Sequence, residues 1–566
     1  MKKKTVLSLI GTVLSVVLAI ISIIIFKEDE ADIYIGDRKV TVKGDMVGEE
    51  FYILADDLKE KMGIGKEDFN IDTNTGEIKI SGEAMPYEAK FEDNEVLLSP
   101  SIAGEILGGK TVVIDDEIYI IKPDTVNAGL SGGGEFPVDY SDDFFIQEAT
   151  QYNHPLAQSS IGLASVAFSA KEADKFWGDD GKVERDKNIV ELLQKLGFSN
   201  IKTYNYDKSL NDKTDKVAFA LAEKKIKSGK GDCRLVAVVI RGGVYGNEWV
   251  SNFNLGNGET HKGFLISAKE VTNELSKYLG DKTENTKLWI CGFSRGGAVA
   301  NIVASLIGDS KAIERKNVYA YTFASPRVTA STHAKDKKYD YIYNIISDND
   351  LVPLIVPHSW GYERFGRDVS LPYLSSYSEN VARTQNEKIE KTYRKISNGK
   401  NLNLTDIEEE NQSQQIKITV DSLTSAIKDK EEYAKRYEKI IMDFIELKNT
   451  KIKNGNNNWV VPPLKDGILI KYKNDGRELL NKVEDVDFFK NLKKEIGDAS
   501  DNLYYFGAIC LKFGKNPYKI INEEIGMSNL IEIAGLLSGD AMKVHTPESY
   551  IAQILSINGP DYLTIE

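Results

Sequence analysis

The sequence predicts an α/β fold built on a largely parallel sheet, and three stretches predict it. Arg234 to Ile240 (RLVAVVI) is a continuous β-branched run, which suits a strand covered on both faces by other elements. Lys287 to Ile307 (KLWICGFSRGGAVANIVASLI) passes from an apolar strand through Gly292-Phe293-Ser294-Arg295-Gly296 into small and aliphatic residues at helical spacing. That is strand, sharp turn, helix. Val318 to Phe323 and Tyr341 to Ile346 add two further apolar strands downstream.

The outer bounds agree with a large globular chain. With 566 residues, 41% hydrophobic and 28% charged, it can bury a sizeable core and hold more than one domain. A formal net charge of -14 argues against a general nucleic-acid binder. The 3 cysteines are too few for a disulfide framework, and Cys291, in the strand before the sharp turn, reads as a buried inert thiol.

At the start of the chain, Met1-Lys2-Lys3-Lys4 precedes an uncharged apolar run from Thr5 to Phe26, followed by Lys27-Glu28-Asp29-Glu30. As a helix that run is about 33 Å long, enough to cross a bilayer. The flanking charges place the start inside and the bulk of the chain outside. Residues 1–30 are therefore expected to be a single-pass membrane anchor, with a cleaved signal peptide as the rival reading. Both readings export the protein.

From Ala31 to about Pro123 short alternating segments (Ile33-Tyr34-Ile35, Glu77 to Ile80, Thr111 to Ile114, Ile118 to Ile121) surround a helix-like stretch from Ala55 to Met62. The texture predicts a small α+β module over 31–125. It resembles the copper amine oxidase N-terminal-like domains that precede many exported bacterial proteins, and a spacer or wall-contact role is its default reading. No histidine occurs before His154, so nothing here points to a transition-metal site. Residues 126–140, with Ser131-Gly132-Gly133-Gly134, read as a flexible linker, leaving 141–566 as the second domain.

Beyond the linker, Ala164 to Phe176, Ile189 to Gly197 and Lys216 to Lys227 all read as helices. His154, in a polar stretch before a proline, reads as an exposed or capping residue. Ser294 is the candidate nucleophile. A serine hydroxyl attacks poorly unless presented bare at a sharp turn beside a base and near amide donors, and flanking glycines let neighbouring backbone pack close. The bland alternative is a glycine-rich turn before an ordinary helix.

Several motifs then stand in a telling order. Ile240-Arg241-Gly242-Gly243, Trp249, Thr260-His261-Lys262-Gly263-Phe264, the serine turn, Thr322-Phe323-Ala324-Ser325-Pro326-Arg327-Val328 and Ser347-Asp348-Asn349-Asp350-Leu351-Val352-Pro353 together resemble the class 3, or fungal-type, lipase family. The resemblance covers roughly residues 240–357 plus the His545 segment. It implies an oxyanion hole from the backbone N–H groups of Gly243 and Arg295, a structural role for His261, and Asp350 as triad acid, because the acid stands directly before hydrophobic-Val-Pro. A carboxylate at a strand end suits that task, since it can hold an imidazole in the tautomer that accepts the serine proton. The base should follow the acid, which leaves His358 and His545, and the late arrival of the family histidine favours His545 in Val544-His545-Thr546-Pro547. His333, in a lysine-rich loop, reads as surface. Two departures stand out. The family places a hydroxyl residue where this chain has Gly243, and compact class 3 lipases lack the charged stretch at about 370–539.

That stretch carries one long amphipathic segment from Val420 to Leu447 and reads as a helical insertion, either packed on the core or shaping an acyl pocket. The resulting expectation is an α/β-hydrolase core with a large helical insertion, preceded by a small α+β domain and an N-terminal transmembrane helix. It would be an exported serine hydrolase acting on acylglycerol or another carboxylic ester through Ser294, His545 and Asp350, with no metal or organic cofactor implied. Competing readings are a non-catalytic surface protein on a hydrolase scaffold, and a hydrolase of phospholipid, peptide or thioester acyl bonds.

Overall fold

The computed structural model describes residues 29–411 and 541–566, apart from 49, 66–67, 93, 116, 169–183, 208–215, 229–230, 244–257, 351 and 355–360. The chain divides into two compact units, Met1–Lys122 and Pro123–Glu566. The apolar run expected to anchor the chain lies outside the described residues, among which no helix is long and apolar enough to cross a membrane.

The first unit holds a seven-stranded sheet and a three-stranded antiparallel sheet, with short helices at Ala55–Met62 and Pro100–Ile106. Its alternating segments pair as their period suggests. Ile33 stands opposite Ile118 in parallel register, and the buried face carries Ile33, Val42, Ile118 and Ile120. The first helix stops at Gly63, whose φ of 69° gives the left-handed cap a side chain would resist.

The second unit opens on a hairpin of β1 (Asp124–Gly129) and β2 (Glu135–Tyr140). The stretch 126–140 is thus a paired element where a linker was expected. Phe136, Val138 and Tyr140 alternate into the interior, and the glycines serve close packing: a Cβ on Gly134 would stand 2.3 Å from the Lys395 carbonyl oxygen.

An eight-stranded sheet follows, in the spatial order β3 (Ser199–Tyr204), β4 (Phe219–Ser228), β5 (Gly231–Ile240), β6 (Thr286–Phe293), β7 (Val318–Phe323), β8 (Ile342–Ser347), β9 (Arg367–Leu371) and β10 (Thr564–Ile565). Strands β5 to β9 are parallel; β3, β4 and β10 join antiparallel at the edges. Every residue of β7 and β8 is buried, because helices cover the sheet. The described helices are α1 (His154–Val166), α2 (Lys187–Lys195), α3 (Lys262–Leu279), α4 (Arg295–Ser310), α5 (Glu379–Ile396), α6 (Leu404–Asn411), α7 (Ala541–Val544) and α8 (Pro547–Ser556). Both α1 and α4 pack against the central β6.

Two local readings are revised. Lys216 to Lys227 was expected to be helical, yet Phe219–Ser228 is β4, paired with β5 from Phe219–Ile240 to Ser228–Gly231. Its first half, Phe219 to Ala222, is buried throughout, so no period-2 alternation survives there to betray a strand. His154 is not exposed, and its side chain reaches the C-cap carbonyl of α8. It opens α1 fully buried, its Nδ1 3.0 Å from the Tyr152 hydroxyl and its Nε2 2.8 Å from the Ile557 carbonyl.

Of the expected insertion, α5 and α6 are described. They pack with α7 and α8 through Ile389, Tyr393, Leu404, Ile407, Val544 and Ala552. The Val420 to Leu447 segment lies outside the described residues.

Candidate active site

The turn between β6 and α4 is built by what glycine lacks. A Cβ on Gly292 would stand 2.3 Å from the Gly296 carbonyl oxygen, and one on Gly296 would stand 2.4 Å from that of Ile240 and 2.6 Å from that of Arg241. The elbow and the end of β5 therefore touch backbone to backbone. Ser294 occupies φ 56°, ψ -124°, a strained conformation for a residue with a side chain, held by its N–H donating to the Phe323 carbonyl at 2.8 Å. This lifts the Ser294 hydroxyl off the end of the sheet, as a strand-to-helix nucleophile turn requires.

Arg295, next in the chain, is the first residue of α4, where an N–H has no acceptor within its own helix. Gly243 comes two residues after Arg241, and a Cβ on it would lie 3.6 Å from Arg295 Cδ, so the two residues expected to supply the amide donors are neighbours. Trp249 and His358 lie outside the described residues.

Asp350 and His545, 195 residues apart, both arrive at Ser294. His545 Nε2 is 2.8 Å from Ser294 Oγ and His545 Nδ1 is 2.8 Å from Asp350 Oδ2. A carboxylate on Nδ1 keeps the proton there, leaving Nε2 to accept from the serine hydroxyl. Asp350 follows β8 and its side chain is wholly buried; its Oδ1 also accepts from the Val352 N–H at 3.0 Å. His545 is placed by the start of α8, where Thr546 caps the helix through Ser549 N–H and Pro547 takes the first turn. Its ring lies 5.5 Å from that of Phe293.

Residues 237–360 match the family described as Lipase (class 3). Over that span the chain is similar to the class 3 lipases. The matched span holds Gly243, Ser294 and Asp350, the expected oxyanion turn, nucleophile and acid; His545, the expected base, lies beyond it. Among known proteins, a secreted mono- and diacylglycerol lipase of Fusarium solani is 29% identical over 143 residues, 22% of this chain and 41% of the relative. The chain thus spans less than half the length of that relative. Among solved structures, the triacylglyceride lipase of Rhizomucor miehei is 23% identical over 31% of this chain and 66% of its own, with a TM-score of 0.24. The lipase of Rhizopus microsporus var. chinensis is 17% identical over 38% of this chain and 72% of its own, with a TM-score of 0.27.

The other residues singled out in the sequence fall into place around Ser294, His545 and Asp350. His261 is fully buried and stacks on Phe264 with ring centroids 4.0 Å apart, a packing role as expected. His333 is at the surface, its Nδ1 3.1 Å from Asp336. Cys291 is buried, and burial pushes its thiol well above the ordinary range, so it stays protonated and inert.

Tyr550 supports Asp350 from 200 residues away. Its hydroxyl donates to Asp350 Oδ2 at 2.6 Å and accepts from Ser347 N–H at 3.1 Å. Burial first, and the Asp350 carboxylate next, push that hydroxyl well above its usual pKa, so it remains a donor. Tyr550→Phe would leave the buried Ser347 N–H and one lone pair of Asp350 unmatched. The expected cost is about 1–3 kcal/mol of stability and a fall in kcat of roughly tenfold, read by thermal melting and ester hydrolysis; an unchanged melting temperature would sink this account.

Proposed function

We propose that the chain is an exported serine hydrolase cleaving carboxylic esters of the acylglycerol type through a covalent acyl-enzyme. The observation that supports this most is the run of two 2.8 Å contacts from Ser294 through His545 to Asp350. In this reading His545 takes the Ser294 proton as the hydroxyl oxygen attacks the ester carbonyl carbon. The carbonyl π pair moves onto oxygen, where the N–H groups of Gly243 and Arg295 receive it. Collapse expels the alcohol, protonated by His545, and water then repeats the cycle to release the acid. Asp350 steadies the imidazolium throughout. The family match and the name of the Fusarium relative favour an acylglycerol substrate and an extracellular setting. The lysine-led apolar run at 5–26 fits export, with anchoring as the finer form of that proposal.

A fluorophosphonate probe tests the chemistry. Wild-type protein should take the label and Ser294→Ala should not; an unlabelled wild type would return the argument to a retired scaffold. Esters of graded chain length then rank the acyl group.

Gly243 offers a second test. A Cβ there meets nothing closer than 3.6 Å, so a serine fits where the family carries a hydroxyl residue. Gly243→Ser should raise kcat by up to ~10-fold through an added donor to the oxyanion. A fall in kcat would mean that the turn does not face the reacting carbonyl.

A further inference from the structure

The acid and the base of the proposed triad hang from one small group of helices. His545 follows Val544, whose buried side chain belongs to the cluster that holds Leu404 and Ile407 of α6. Asp350 follows Asn349, a 5% exposed residue whose Nδ2 donates to Glu408 Oε1 on α6 at 3.0 Å. The same carboxylate accepts from Leu374 N–H at 2.7 Å and Ser375 N–H at 3.3 Å. One acidic side chain therefore gathers three donors, from the acid loop and from the turn that precedes α5.

The rest of the loop is tied from elsewhere. Ser347 Oγ donates to Gln553 Oε1 at 2.8 Å, Asp348 N–H donates to the Leu371 carbonyl at 3.0 Å, and the Tyr373 hydroxyl donates to the Asp348 carbonyl at 2.6 Å. These ties fix the loop at Ser347 and Asp348. The Asn349 side chain, immediately before the acid, is held by Glu408. The backbone at this turn is held by Ser347, whose carbonyl accepts the Asp350 N–H at 2.9 Å and whose Oγ accepts the Asn349 N–H at 3.4 Å. The Asn349 side chain answers to a residue of the helical region that compact relatives were expected to lack.

We propose that Glu408 is a positioning residue for the triad acid: through Asn349 it sets the direction in which Asp350 presents its carboxylate to His545. The proposal rests on the triad reading above. Glu408 touches no reacting atom, so its loss should slow the chemical step and leave substrate binding alone. A displacement of a catalytic group by a fraction of an ångström is enough, because proton transfer from Ser294 needs the imidazole aligned.

The experiment compares Glu408→Ala, Glu408→Gln, Asn349→Ala and the Glu408→Ala/Asn349→Ala double variant in the full chain, on the soluble ester p-nitrophenyl butyrate. For Glu408→Ala, kcat should fall about tenfold with KM within about twofold. Glu408→Gln keeps an accepting oxygen for Asn349 and Leu374 and should recover to within about threefold of wild type. The double variant should be no slower than Glu408→Ala alone, since both remove the same tie. Wild-type kcat in Glu408→Ala, a Glu408→Gln as slow as the alanine variant, or losses that multiply in the double variant would each overturn the proposal. Should Glu408→Ala fail to fold, Asn349→Ala against Glu408→Gln gives the same contrast. A wild type that neither hydrolyses the ester nor takes a fluorophosphonate label would overturn the triad reading and this proposal with it; an active wild type indifferent to Glu408 would overturn the positioning alone.

Discussion

His545→Ala is expected to lower kcat by about 10^4-fold or more while leaving KM within a few-fold and the melting temperature close to wild type. The side chain is 10% exposed, but Asp350 keeps the Tyr550 hydroxyl and the Val352 N–H when the ring is gone, so stability should not hinge on it. Chemistry should. Without a base at 2.8 Å, the Ser294 hydroxyl must lose its proton to water, and the leaving alcohol has no acid to receive one from. Asp350→Asn should cost nearly as much, about 10^3- to 10^4-fold, for a different reason. The amide can donate to Nδ1, which moves the ring proton to Nε2 and turns it against Ser294. Because the three act as a unit, Ser294→Ala/His545→Ala should be no slower than either single change. Steady-state kinetics on a soluble short-chain ester decide it: a His545→Ala enzyme within tenfold of wild type would move the base to His358.

The residues that sequence exposed best are those whose chemistry is local. Gly292, Ser294 and Gly296 lie within five positions, and the steric demand that selects them is met by the turn itself. Asp350 and His545 were reachable because the family resemblance points to an acid directly before hydrophobic-Val-Pro and to a late histidine, and few histidines follow Asp350. Tyr550 and Glu408 were not, since each acts on a loop that chain order places far away and only the sheet brings near. The same physics explains the misread elements. In β4 both faces of Phe219 to Ala222 are covered, which erases the alternation a strand is read by, and in 126–140 the glycines admit neighbouring carbonyls where they suggested looseness. The parallel strands β5 to β8 share that double coverage but stayed legible, because their apolar runs are not continued by a charged stretch such as Glu223-Lys224-Lys225 that imitates helical spacing.

Gly296→Ala should damage both stability and catalysis, and the pattern identifies the contact responsible. An added methyl would press on the Ile240 and Arg241 carbonyl oxygens at 2.4 and 2.6 Å, and neither can rotate aside, being backbone of the strand that leads to Gly243. Relief requires the end of β5 to move away from the elbow. Overpacking of this kind costs about 1–3 kcal/mol, and shifting the Gly243 amide relative to Ser294 should lower kcat by about 10^2-fold. Gly308→Ala, at the far end of the same helix, supplies the contrast. Its methyl would fall 1.9 Å from the Tyr341 hydroxyl oxygen, at the tip of a side chain remote from the site. It should lower the melting temperature yet leave kcat per titrated active site within about twofold of wild type. If both substitutions slow turnover alike, the close approach of elbow and β5 is not what sets the oxyanion turn.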